Sequence, residues 1–60
     1  MTVEEFAKLA SAEIGLNEGA IEHVLSEPLD CYQVLCELAE RGRIPDVNQA
    51  MFDLFGIDNL

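Results

Sequence analysis

The sequence predicts an all-α fold, a compact bundle of four short helices that form one domain of 60 residues. Apolar residues recur at intervals of three and four along most of the chain, which is the spacing of a helix with one buried face. Capping residues, glycines and prolines divide this pattern into four segments, and no alternating strand pattern is present. The helices are expected at about residues 3–14, 18–26, 29–41 and 46–55.

The first helix is expected to begin at Val3, because Thr2 and Glu5 have the spacing of a capping box. In that motif each of the two side chains accepts a hydrogen bond from the other residue's backbone amide. Val3 and Phe6 start the apolar pattern of the helix, and Gly15 suits the left-handed conformation that ends it.

Asn17 is the expected N-cap of the second helix, in which Ile21, Val24 and Leu25 face inward. Pro28 ends this helix, because a proline keeps the preceding residue out of the helical conformation. The same proline suits the first turn of the third helix.

The third helix is predicted to be the central one, because apolar residues cover most of its circumference. Only Asp30, Gln33, Glu37 and Glu40 form a narrow polar stripe. Its apolar positions are Cys31, Tyr32, Val34, Leu35, Cys36, Leu38 and Ala39.

The fourth helix starts with Asp46 and Gln49, which form a variant of the capping box, and ends at Gly56. After such a glycine the chain usually folds back, so Ile57 is expected to contact Phe52 or Met51.

The two cysteines are predicted to be free thiols in a reducing compartment. Cys31 and Cys36 lie five residues apart on one helix, so their side chains point about 140° apart and cannot readily form a disulfide. A secretory signal would begin with Lys or Arg followed by a continuous apolar stretch, whereas this chain starts with Thr2 and two glutamates. We therefore expect a cytoplasmic location.

The charge balance is the most unusual property of the composition. Twelve acidic residues face three basic residues, which gives a formal net charge of −9. A field of this sign repels nucleic acid and anionic lipid and speeds encounter with basic protein surfaces. We therefore expect no direct contact with nucleic acid or membranes, and a partner with a basic surface.

Few residues are available for catalysis. His23 is the only histidine, and it could pair with Cys31 or Cys36. Because buried cysteine commonly behaves as a small hydrophobic residue, we interpret the three as two core thiols and a histidine at the rim of its helix. The short ligand spacings of zinc sites and the glycine and glutamate of a calcium loop are absent. The sequence therefore predicts a protein that is not an enzyme and has no metal or other cofactor.

Carboxylates on outward helix faces are the first candidate binding surface. Glu18 and Glu22 lie four residues apart, so two negative charges stand side by side at a cost of a few tenths of a kcal/mol. Such repulsion can serve binding to a basic groove, or the acidity can serve solubility alone. The candidate residues are Glu4, Glu5, Glu18, Glu22, Glu37 and Glu40.

An apolar anchor on the last helix is the second candidate. Met51, Phe52 and Phe55 could form an exposed patch bordered by Asp53 and Asp58. The alternative is that Phe52 is buried beneath the end of the chain.

In length, acidity and helical content the chain resembles the small acidic inhibitors that phages encode, including anti-CRISPR proteins that imitate nucleic acid. The carboxylates between Glu4 and Glu40 carry this resemblance. It implies a bacterial host cytoplasm, a nucleic-acid-binding immune complex as target, and no enzymatic activity. The competing hypothesis is a helical docking module, such as an antitoxin or adaptor, anchored by the apolar patch. Under either hypothesis we expect a monomer or a small homo-oligomer.

Overall fold

A computed structural model describes residues 1–56 and contains four α-helices and no β-strand within that range. The helices are α1 (Val3–Ile14), α2 (Glu18–Ser26), α3 (Pro28–Glu40) and α4 (Val47–Phe55). They form a compact globule, which confirms the predicted bundle of four short helices.

The first two helices have the predicted bounds, and the other two differ by one residue at their ends. α3 includes Pro28, because Glu27 takes the extended conformation of an N-cap and leaves the first helical position to the proline. α4 begins only at Val47, because Asp46 is extended and acts as its N-cap.

Side chains cap three of the four helix starts. The Thr2 hydroxyl accepts a hydrogen bond from the Glu5 amide at 3.1 Å, and the Glu5 carboxylate accepts one from the Thr2 amide at 2.8 Å. This is the predicted capping box. Asn17 caps α2 by accepting from the amide of Ala20 at 2.8 Å.

The cap of α4 is only half of the predicted motif. The Asp46 carboxylate accepts from the Gln49 amide at 3.1 Å, but the Gln49 side chain donates to Asp53 at 2.9 Å and does not return to the cap. Gly15 and Gly56, with φ of 69° and 73°, end α1 and α4 in the left-handed conformation that glycine adopts without strain.

α3 packs against each of the other three helices, as expected of a central helix. Its fully buried side chains are Cys31, Leu35 and Leu38, and Phe6 of α1 is equally buried. The whole core consists of Phe6, Ala10, Ile21, Val24, Cys31, Leu35, Leu38, Ile44, Ala50 and Met51.

The burial of two apolar residues does not follow from the helical pattern. Val3 starts the apolar pattern of α1 but is 52% exposed, because it stands in the first turn, at the edge of the bundle. Ile44 lies in the loop before α4, where no helical period could identify it, and it is buried. The predicted contact of Ile57 lies outside the described residues.

Within residues 1–56, none of the four helices is both long enough and apolar enough to cross a membrane.

Candidate functional site

The six candidate glutamates are all exposed, and they belong to three helices. Glu4 and Glu5 lie in the first turn of α1, Glu18 and Glu22 in α2, and the remaining two near the end of α3. Glu18 and Glu22 line one groove, whereas Glu37 lines a different depression beside Asp30. The candidates therefore divide into separate groups on the surface.

Two of these carboxylates already have partners within the chain. The capping hydrogen bond from the Thr2 amide lowers the pKa of Glu5, with the Thr2 side chain adding to the effect. Glu37 lies 3.5 Å from the Arg41 guanidinium, one helical turn away. Among residues 1–56, the other four candidates, Glu4, Glu18, Glu22 and Glu40, form no ion pair.

The basic side chains leave most of the acidic surface uncompensated. Arg43 lies 2.8 Å from Glu13, and this ion pair ties the loop after α3 to α1. Arg41 pairs with Glu37. Lys8 is exposed and has no carboxylate partner within the described part of the chain.

A shallow groove runs between α1 and α2. Ile21 is buried at its base, and Ala7, Leu16 and Leu25 are partly buried beside it. Val3 lines one end of the groove.

Small side chains on α1 keep this groove open. Ser11 and Ala12 are exposed there, and their side chains are too short to fill the space between the helices. Lys8 stands on the α1 side of the rim, and Glu18 and Glu22 stand on the α2 side. The groove thus combines an apolar floor with a rim that is positive on the α1 side and negative on the α2 side.

His23 has a carboxylate partner in place of the thiol considered from the sequence. Its Nε2 lies 3.1 Å from Asp30, and both side chains are largely exposed. Burial raises the pKa of the Cys31 thiol to about 11, which favours the weakly nucleophilic thiol over the thiolate at neutral pH. Cys31 and Cys36 are both free. Within residues 1–56, no group of three or more potential ligand side chains is placed to hold a metal ion.

The apolar anchor on α4 needs a correction. Met51 is 1% exposed and belongs to the core, so it cannot present a surface to a partner. Phe52 is 49% exposed and Phe55 is partly buried. Asp53 borders Phe52, and hydrogen bonds from the N-terminal ammonium group and then Gln49 lower its pKa. The second border residue, Asp58, lies outside the described range.

Sequence reasoning missed one exposed apolar residue. Leu29 is 71% exposed at the start of α3. Leu29 precedes Gln33 by four residues and therefore lies on the polar stripe of that helix. This position is the sequence signal for its exposure.

No known protein family, curated protein or solved structure matches this chain significantly.

Proposed function

We propose that this acidic helical protein binds a basic groove of a nucleic-acid-binding complex and blocks the access of DNA or RNA. One observation carries the proposal: Glu4, Glu18, Glu22 and Glu40 are exposed and form no ion pair among residues 1–56, in a chain with a net charge of −9. A groove that binds phosphates presents clustered Lys and Arg, which are the partners that these carboxylates lack.

Repulsion between the carboxylates supports the same proposal. Glu18 and Glu22 stand one helical turn apart, and this like-charge pair lowers the stability of α2. Contact with a basic surface relieves the repulsion and adds ion pairs. Electrostatic steering would also speed association at low ionic strength.

The resemblance to phage-encoded inhibitors suggests a cellular location and a target. In this setting the protein acts in the cytoplasm of a bacterial host and its target is an immune complex that binds nucleic acid, such as a CRISPR effector. Inhibition would be competitive and non-enzymatic, without a cofactor and without direct contact between the inhibitor and nucleic acid.

A pull-down from bacterial lysate at low and high salt would first identify the partner. Competition then tests the function: labelled DNA or RNA bound to the purified partner is titrated with this protein, and release is followed by fluorescence anisotropy. Binding of this protein to its purified partner, measured without nucleic acid, should weaken steeply as salt rises, because several ion pairs form together.

The double variant Glu18→Lys/Glu22→Lys should lose competition, whereas Asn48→Lys adds a positive charge on α4, a helix that carries none of the candidate carboxylates, and should change it little. If a saturating amount of the native protein leaves nucleic-acid binding by its partner unchanged, the proposal fails.

Phe52 supports a second candidate function, a docking module for a partner with an apolar pocket. Its 49% exposure is unusual for a large aromatic residue and suits an anchor. In that case the partner would be retained at high salt and lost on Phe52→Ala, while Glu18→Lys/Glu22→Lys would leave affinity intact.

A further inference from the structure

We infer that the groove between α1 and α2 binds an amphipathic helix of the partner protein, with Lys or Arg along one flank. The inference rests on the proposed function for the basic character of the partner. It goes beyond that function by assigning the partner element and the place where it binds.

The dimensions of the groove fit a short helix. Its α1 side extends from Val3 to Ala12, which is about 14 Å at the rise of an α-helix. A helix of about ten residues has this length. The small side chains of Ser11 and Ala12 allow such a helix to approach α1 closely.

The apolar floor of the groove is complementary to a bound helix that carries an apolar stripe. Ile21, Leu16 and Leu25 offer aliphatic surface that an occupant would cover further, and Val3 is 52% exposed at one end. Residues spaced by three and four on an amphipathic helix would supply matching side chains, as in other helix-in-groove complexes.

The rim charges define the flanks of the occupant. Glu18 and Glu22 lie on the α2 side, one turn apart, so they match two basic residues at the same spacing on the occupant. Lys8 on the α1 side is the place for an acidic or polar residue of the occupant. This asymmetry would select one orientation of the bound helix.

A second copy of this chain is a poor occupant, because two molecules that each carry a net charge of −9 repel each other. Nucleic acid and anionic lipid are repelled by the same carboxylates. An apolar floor edged mainly by carboxylates therefore favours a basic, amphipathic protein helix.

Two synthetic peptides test the inference directly. The first, of about 18 residues so that it can form a helix, places leucines at intervals of three and four with lysines on one flank. The second has the same composition in an order that distributes leucine around the helix. Fluorescence anisotropy should show that the amphipathic peptide binds about tenfold more tightly, a difference that charge alone cannot produce.

Variants locate the site. Ser11→Gln/Ala12→Gln fills the groove without a charge change and should weaken binding of the amphipathic peptide about fivefold, whereas Asn48→Gln on α4 should have no effect. Glu22→Gln should weaken it about threefold, whereas Glu40→Gln, outside the groove, should not. Circular dichroism verifies that each variant is folded.

The outcomes separate the inference from the proposed function. Equal binding of both peptides, or binding that is unaffected by Ser11→Gln/Ala12→Gln, overturns the groove site even if the protein still competes with nucleic acid. Selective binding that the groove variants weaken supports the site, even if competition with nucleic acid fails. Absence of binding by either peptide also overturns it.

Discussion

Thr2 and Glu5 hold the start of α1 through two reciprocal hydrogen bonds. Replacing Thr2 by alanine removes the hydroxyl acceptor and should cost about 1 kcal/mol of stability, the usual effect of losing a Thr cap. In a domain of this size that lowers the melting temperature by roughly 4–8 °C. Thr2→Ser keeps the hydroxyl and should melt close to the native protein. Thermal unfolding followed by circular dichroism measures both variants.

The same cap has a predictable pH dependence. The folded state lowers the pKa of Glu5 below its ordinary value of 4.5, so its contribution to stability is present above that value and is lost as the pH falls through the folded pKa. The melting-temperature difference between the native protein and Glu5→Gln should therefore shrink on acidification, because the side chain at position 5 is then neutral in both proteins. A difference that stays constant from neutral pH to pH values well below 4.5 would show that the carboxylate contributes nothing.

The two thiols should differ strongly in reactivity. Cys31 is fully buried and burial raises its pKa, whereas Cys36 is only partly buried. A thiol reagent at mildly alkaline pH should label Cys36 first and Cys31 only when the protein unfolds. Peptide mass spectrometry measures each site, and Cys36→Ser should make the folded protein nearly inert. Labelling of both residues at the same rate in the native state would contradict this prediction.

The hydrogen bonds of single capping residues can be predicted from the sequence. The burial of single apolar side chains is harder to predict. The capping box links residues three apart, so the sequence contains all that determines it. The exposure of Phe52 depends on which segment covers that side of α4, and that is decided by packing between segments distant in sequence. For this reason the sequence left open whether Phe52 is buried or exposed, and the structure shows it 49% exposed.

At the scale of the helix, α3 offers a matched pair of leucines. Leu35 is fully buried and Leu29 is 71% exposed. Leu35→Ala should lower the free energy of unfolding by about 3 kcal/mol, because it removes buried methyl groups and leaves a cavity. Leu29→Ala should stay within about 0.5 kcal/mol of the native protein. Urea denaturation measures both, and similar losses would mean that α3 is not the centre of the core.

α2 should become more stable when its repulsion is removed. Glu22→Lys converts a like-charge pair with Glu18 into an attractive one, while Glu22→Gln only removes the repulsion. The melting temperature at low salt should therefore rise from the native protein to Glu22→Gln and again to Glu22→Lys. The differences should nearly vanish in 1 M salt, where the screening length is about 3 Å. The reverse order would show that Glu22 has a favourable partner.

Helix positions followed from the sequence because each start and end has its own signal. The bounds of α1 and α2 were predicted to the residue, and those of α3 and α4 differ by one. The groove between α1 and α2 was not predicted, because it depends on how two helices are placed side by side. Its only sequence signal is the group of small residues on the outward side of α1.

For the whole molecule, the net charge of −9 implies that self-repulsion opposes the folded state. Raising the NaCl concentration from about 0.01 M to 0.15 M shortens the screening length from about 30 Å to 8 Å and should raise the melting temperature. Glu18→Gln/Glu22→Gln should gain less from salt than the native protein. A melting temperature that falls with salt would mean that ion pairs such as Arg43 with Glu13 outweigh the repulsion.

The pattern of helix contacts has a kinetic consequence. Each helix packs against its neighbour in the sequence, and α1 and α3 are separated only by a short helix. Few long loops must close before the core forms, so folding should take microseconds to milliseconds. A protein that refolds this quickly regains its native surface soon after a heat pulse or dilution from denaturant.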